Sequence, residues 1–329
     1  MPASANRLAD LLESKDVLLA DGGMGTSLFE LGLANGAPGE LWNIDHPDRV
    51  EQVHQGFVDA GSDIILTNTF GANRYRFKLH GSADKVRAIN IAAARIARKV
   101  ADAAGRPVVV GGSIGPSGEM LVPIGERTPD EVEEAFFEQA AALKEGGVDV
   151  AWIETMFFED ELGAAARAAE RAGLPYVMTM TFDTGGRTMM GLKPEAAIAL
   201  PRRHGWRPVG FGANCGVGPA QLLDSVIGLV KGASPGDVIV AKANCGIPQV
   251  GDDMRVHYSG TPEIMADYAV LARDAGARIV GGCCGTAPAH LRAMRRAIDA
   301  RPRGTAPDYA EIERRLGPVK ITIDKPKTA

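Results

Sequence analysis

The chain has 329 residues, with 36 Lys and Arg against 41 Asp and Glu and a net charge near −5. The two signs are interspersed without a basic stripe, which argues against a nucleic-acid partner, and no apolar run approaches the roughly 20 residues that span a bilayer. With 45% hydrophobic residues, the length is sufficient for one large domain with a full core.

Residues 1–16 carry charges and lack the apolar centre of a signal peptide, so the expected compartment is the cytoplasm. The first strand is expected at 17–22, followed by a long connection over 28–46. A helix over 47–60 opens with Pro47 in its first turn and stops before Gly61. Strands follow at 63–69 and 107–113, then a Gly- and Pro-containing connection over 115–127. A helix over 128–145 starts Thr128-Pro129-Asp130-Glu131, an N-cap with acid in the first turn, and ends at Gly146-Gly147. Further strands are expected at 148–154, 175–181, 208–214 and 238–244. A helix over 261–275 repeats the Thr-Pro-Glu start, and a last strand covers 277–283.

These strands are near-continuous apolar runs, as expected of parallel strands covered on both faces. Eight βα units predict an α/β protein, a closed (β/α)8 TIM barrel forming a single domain over residues 1–300. The rival is an open doubly wound sheet, which usually has fewer units and a phosphate-binding glycine loop. There is no Walker loop, and Asp21-Gly22-Gly23-Met24-Gly25 lacks the dinucleotide spacing. Residues 301–329 read as a linker with Pro302, Gly304 and Pro307, a short helix over 309–316, and a flexible tail over 320–329.

In a TIM barrel the chemistry sits at the C-terminal ends of the strands. Asp21, Glu154 and all four cysteines (Cys215, Cys245, Cys283 and Cys284) fall there. Cysteines in a reducing compartment are more often metal-binding or catalytic than disulfide-bonded, although buried packing is common. The strands ending in Cys215 and Cys283-Cys284 flank the seventh, which brings these residues together. Three thiolates with one open position describe a catalytic zinc site, and a vicinal disulfide is the weaker alternative. Cys245 either completes that shell or only packs.

Several motifs form one ordered set: Asp21-Gly22-Gly23-Met24-Gly25-Thr26, Thr67-Asn68-Thr69-Phe70, Gly111-Gly112-Ser113-Ile114-Gly115-Pro116, Glu154, Asn214-Cys215-Gly216 and Gly281-Gly282-Cys283-Cys284-Gly285-Thr286. Over residues 11–298 the set resembles the homocysteine S-methyltransferase family, which includes betaine–homocysteine methyltransferases and the homocysteine module of cobalamin-dependent methionine synthase. The resemblance implies that Cys215, Cys283 and Cys284 bind Zn2+ and that homocysteine sulfur takes the fourth position. It implies that Asp21 and Glu154 hold the substrate ammonium, with Asn214 in the substrate site, and that N–H groups around Gly22 and Gly23 meet its carboxylate. Asp21 as a turn residue and Glu154 as a structural ion pair are the plainer readings.

The expected reaction is transfer of a methyl group to the homocysteine thiolate, giving methionine. The apparent lack of folate or cobalamin modules points to a small onium donor such as glycine betaine. Such cations favour aromatic faces. Trp42 resembles the loop tryptophan of the betaine enzymes, and Phe70, Phe29 and Tyr75 could add rings, with packing as the alternative for each. Gly71 and Thr155 depart from the tyrosines of animal betaine enzymes, which puts a cage of that form in doubt. Dimethylsulfoniopropionate, S-methylmethionine and a methyl-corrinoid or methylfolate partner are the alternative donors. A non-catalytic zinc- or thiol-binding barrel is the alternative outside enzymes. A homo-oligomer is compatible with the sequence, which does not fix the assembly.

Overall fold

The computed structural model describes residues 6–250 and 256–319. Its strands are β1 (Leu18–Leu19), β2 (Ile64–Leu66), β3 (Val109–Ile114), β4 (Val150–Met156), β5 (Tyr176–Met180), β6 (Gly210–Cys215), β7 (Ile239–Ala243), β8 (Pro248–Val250), β9 (Val256–Tyr258) and β10 (Ile279–Gly282). Eight of them form one parallel sheet in the order β1-β10-β7-β6-β5-β4-β3-β2. A parallel bridge between Ala20 and Ile64 brings its two edges together. Asp63 reinforces this seam: its backbone N–H donates to Leu19 O at 2.6 Å, and its carboxylate accepts from Leu19 N at 2.9 Å. The architecture is the expected (β/α)8 barrel.

The apolar strand runs form two cores, because residues on a strand alternate between faces. Leu18, Ile64, Val109, Val150, Trp152, Val177, Val240 and Ile279 cluster inside the barrel. Leu8, Leu11 and Leu12 of the helix Arg7–Ser14 join them and plug the N-terminal end. The opposite strand faces pack against the surrounding helices in a larger core. Continuing the inward parity towards the strand ends gives Ser113, Glu154, Thr181, Asn214, Asn244 and Cys283. The alternation therefore turns the polar residues inward, above the apolar layers.

Helices start where the sequence supplies caps. Thr128 and Glu131 form a reciprocal capping box on Pro129–Gly146, and the Thr261 side chain caps Pro262–Ala275. The first two strands are shorter than expected because side chains replace ladder partners near their ends. Asp21 Oδ2 accepts from Leu66 N at 2.7 Å, and Thr67 Oγ1 accepts from Ser113 N at 3.0 Å. The antiparallel β8–β9 hairpin, inserted after β7, is absent from the sequence-based expectation.

The helix Tyr309–Leu316 buries Ile312, and the Tyr309 hydroxyl hydrogen-bonds Asp224 at 2.5 Å. The expected tail over 320–329 lies outside the described residues. Among the described residues, no helix is long and apolar enough to cross a membrane.

Candidate functional site

Cys215 ends β6, and Cys283 and Cys284 follow β10 across the neighbouring β7. Their sulfur atoms lie within 4.8 Å of one another, with Cys215 and Cys283 at 3.4 Å. A tetrahedral zinc with about 2.3 Å bonds to sulfur would set sulfur–sulfur edges of about 3.8 Å. The three thiols fit that donor set. Cys245 is not brought into it. Its sulfur donates to Gly260 O at 3.3 Å, its backbone N–H donates to Cys284 O at 2.8 Å, and the residue is 1% exposed. Cys245 lies beyond β7, and its sulfur faces the Gly260 backbone rather than the other three sulfurs.

Among the described residues, two non-glycine residues adopt left-handed backbone, and both adjoin the site: Thr155 at φ 62° and Cys215 at φ 65°. For a β-branched residue such as Thr155 this conformation is strained and must be held by its surroundings. Asn214 holds it. Its Oδ1 accepts from Thr155 N at 2.8 Å and from Thr179 Oγ1 at 2.7 Å, and its Nδ2 donates to Thr155 Oγ1 at 2.7 Å. The same Nδ2 lies 3.9 Å from Cys283 Sγ. Asn214 is wholly buried, so the structure places it as a clamp between β4, β5 and the cysteines. The pairing of β4 with β5 also slips between Ile153 and Met156, an irregularity of the kind that re-aims side chains beside active sites.

Glu154 and Asp21 both face the interior beneath the cysteines. Burial is the largest influence on Glu154 and, with the nearby Cys283, pushes its carboxyl up to about 7 against the opposing pull of Lys242 and Ser113. Ser113 Oγ donates to its Oε1 at 2.5 Å. Asp21 is also raised by burial, an effect countered by Lys242, whose Nζ donates to Oδ1 at 2.7 Å. Burial alone would depress the lysine, but Asp21, Glu154 and Cys283 together raise it above its ordinary value. Lys242 also lies 5.6 Å from the centre of the Trp152 ring. Sequence reasoning missed this residue. The available signal was a lone cation in the apolar run Val238-Ile239-Val240-Ala241-Lys242-Ala243, on the parity of Val240 and Asn244.

Gly22 and Gly23 allow close backbone approach. A Cβ on Gly22 would lie 2.2 Å from Thr286 O, and one on Gly23 2.8 Å from Cys283 O. The Gly23 N–H is already bonded to Thr286 O at 3.0 Å.

A cavity of about 390 Å³ opens beside the cysteine site, lined by Thr155 and by Phe70, Phe157, Arg76, Glu161 and Asp183 among others. Thr155 Oγ1 and the Asn214 amide connect its wall to Cys283. Arg76 stacks 5.6 Å from the Phe70 ring centre. Glu161 is raised by burial while Ser117 N and Oγ donate to it at 2.8 and 2.5 Å. Of the four aromatic residues expected to form a donor cage, only Phe70 lines this cavity. Trp42 is 8% exposed, with the Arg49 guanidinium 4.8 Å from its ring centre, so packing holds it away from the cavity. Tyr75 lies under Arg127 at 5.1 Å. Phe157, which sequence reading did not single out, supplies the second ring.

Known proteins resemble this chain in sequence and in fold. The chain is 33% identical over 316 residues to the methionine synthase of Mycobacterium leprae and 33% identical over 308 residues to that of Mycobacterium tuberculosis. These matches cover 91% and 88% of this chain but 26% and 25% of the relatives, so the chain spans about a quarter of their length. Its fold is similar to the homocysteine methyltransferase MmuM of Escherichia coli, in the metallated form (TM-score 0.73, 24% identity) and the oxidized form (TM-score 0.74, 23% identity), each covering 88% of this chain and 99% of the other. The family model for homocysteine S-methyltransferase matches residues 18–298, from β1 through the Cys283-Cys284 turn to the helix that follows it. This chain belongs to the homocysteine S-methyltransferase family.

Proposed function

We propose that this protein transfers a methyl group from a small onium donor, glycine betaine or a close relative, to the sulfur of homocysteine, with zinc held by Cys215, Cys283 and Cys284. The observation that carries this reading is the convergence of three cysteine sulfurs within 4.8 Å at the barrel mouth. When bound, zinc would deprotonate the substrate thiol and hold it as a nucleophile at neutral pH.

The chain's own residues orient the reactants. Glu154 accepts the substrate ammonium in its carboxylate form, beside Asp21, whose oxygens are already engaged by Lys242 and Leu66. Lys242 offsets one of the two interior carboxylates, so the pocket and an incoming ammonium approach neutrality. The Thr155–Asn214 clamp fixes the wall between the homocysteine sulfur and the donor cavity.

The donor cavity suits a small zwitterion. Phe70 and Phe157 offer ring faces to an onium group, Glu161 and Asp183 attract its charge, and Arg76 suits a carboxylate at the other end. In the transfer, the sulfur electron pair forms the new S–CH3 bond as the methyl–nitrogen or methyl–sulfonium bond breaks. The electron pair of the broken bond leaves with the neutral amine or sulfide. Alignment of the two partners supplies much of the rate.

The test is methionine formation by the reduced, zinc-supplemented protein with homocysteine and, separately, glycine betaine, dimethylsulfoniopropionate, S-methylmethionine and methyltetrahydrofolate. Turnover with an onium donor supports the reading. Turnover with the folate alone, or with none of them while homocysteine binds, contradicts the donor class.

A further inference from the structure

The side chains of β4 alternate as a strand requires until its last turn. Val150 and Trp152 lie in the inner core, and Ala151 and Ile153 in the outer one. Glu154 keeps the inward parity, so regular alternation would turn Met156 inward and Phe157 outward. The structure has the reverse. Met156 is wholly buried in the outer core with Ile153, while Thr155 and Phe157 line the cavity at the barrel mouth. The pairing with β5 shows where the alternation turns over. Ile153 is opposite Met178 and Met156 is opposite Met180, three steps on β4 against two on β5. One extra residue has been taken into β4, and within that stretch Thr155 carries the left-handed backbone.

Glycine takes such a position freely, whereas a β-branched residue resists it. The bulge at Thr155 therefore needs support from outside its own strand, and β6 provides it. The Asn214 amide reaches past β5, where Thr179 Oγ1 donates to its Oδ1 at 2.7 Å. The same Oδ1 accepts from Thr155 N at 2.8 Å, and Nδ2 donates to Thr155 Oγ1 at 2.7 Å. The N–H and the hydroxyl of the strained residue are thus both held by one buried side chain.

We infer that Asn214 is a positioning residue for the donor site: by holding Thr155 in the left-handed conformation it reverses the alternation of β4 and turns Phe157 into the cavity. Without that hold the strand end relaxes towards regular alternation, Phe157 turns out, and the cavity loses one of its two rings. Glycine at position 155 keeps the bulge unaided. Valine, with the shape of threonine but no hydroxyl, does not. The inference rests on the reading of this cavity as the donor site.

The test compares Thr155→Val with Thr155→Gly in the reduced, zinc-loaded protein, by calorimetric titration with glycine betaine and by urea unfolding. If Thr155 were only a piece of wall, the near-isosteric valine would be tolerated better than glycine. The clamp predicts the opposite order. Thr155→Gly should bind glycine betaine about fivefold more tightly than Thr155→Val, the scale of one hydrogen bond or one left-handed β-branched residue, and should unfold at higher urea. Asn214→Ala should weaken binding by about the same factor, and adding Thr155→Gly to it should restore most of the loss. Valine equal to or better than glycine in either measurement, or no recovery in the double variant, overturns the inference. If Asn214→Ala does not fold, the valine–glycine comparison decides alone. A wild type that binds neither glycine betaine nor dimethylsulfoniopropionate, with the urea order intact, overturns the donor reading and leaves the parity reversal at Thr155 supported.

Discussion

Lys242 Nζ lies 2.7 Å from Asp21 Oδ1 in the middle of the barrel, with both side chains no more than 2% exposed. The pair joins β7 to the turn after β1 and neutralises one of the two interior carboxylates. Removing one member of a buried pair leaves an uncompensated charge, at a cost of about 3–5 kcal/mol. Lys242→Met should therefore lower stability by about that amount in denaturant unfolding. The double variant Asp21→Asn/Lys242→Met should recover a large part of it. Additive losses in the double variant would contradict the coupling.

Glu154 gives a pH dependence with a definite sign. Its carboxyl is pushed up to about 7, chiefly by burial, with Cys283 and Asp21 adding to the rise and Lys242 and Ser113 opposing it. Below that value the group is a neutral acid, and above it a carboxylate that can hold an ammonium. Affinity for methionine, whose thioether sulfur does not titrate, should rise as pH increases from 6 to 8. Glu154→Gln should bind weakly and flatten the profile. Calorimetric titration across that range checks both; an affinity that falls over this range would contradict the assignment.

The cysteines should separate cleanly. Cys284→Ala should lose zinc and activity together, since two thiolates cannot complete the donor set. Cys245→Ala should keep one zinc per chain and lose at most about 1–2 kcal/mol of stability through its packing contacts. Metal analysis after gel filtration distinguishes them. Zinc loss on Cys245→Ala would return that residue to the ligand shell.

Arg76 should act on the donor alone. Losing a charge-assisted contact to a donor carboxylate costs roughly tenfold or more in affinity. Arg76→Met should raise the KM for a carboxylate-bearing donor by about that factor and leave the KM for homocysteine unchanged. Steady-state kinetics with each substrate varied in turn make the comparison; equal effects on both substrates would place Arg76 elsewhere.

The sequence carried the barrel and the cysteine cluster because both depend on local signals. Apolar runs separated by capped helices set the strand order, and cysteines at the ends of strands β6 and β10 had to meet across β7. The parity of Val150, Trp152 and Glu154 likewise turned Glu154 inward. Contacts between distant side chains were not legible in this way. The Lys242–Asp21 pair spans 221 positions, and nothing local marks which carboxylate the lysine meets. Trp42 sits in a motif suited to a donor, but its ring is covered by Arg49 from the following helix. The β8–β9 hairpin was missed because strands of three residues carry too little alternation to register.

The central claim is that homocysteine sulfur completes a three-thiolate metal site. Zinc X-ray absorption on the reduced, zinc-loaded protein, before and after adding homocysteine, tests it most directly. The account predicts three sulfur scatterers at about 2.3 Å without substrate and four with it. A shell that stays at three sulfurs while homocysteine binds would contradict the account.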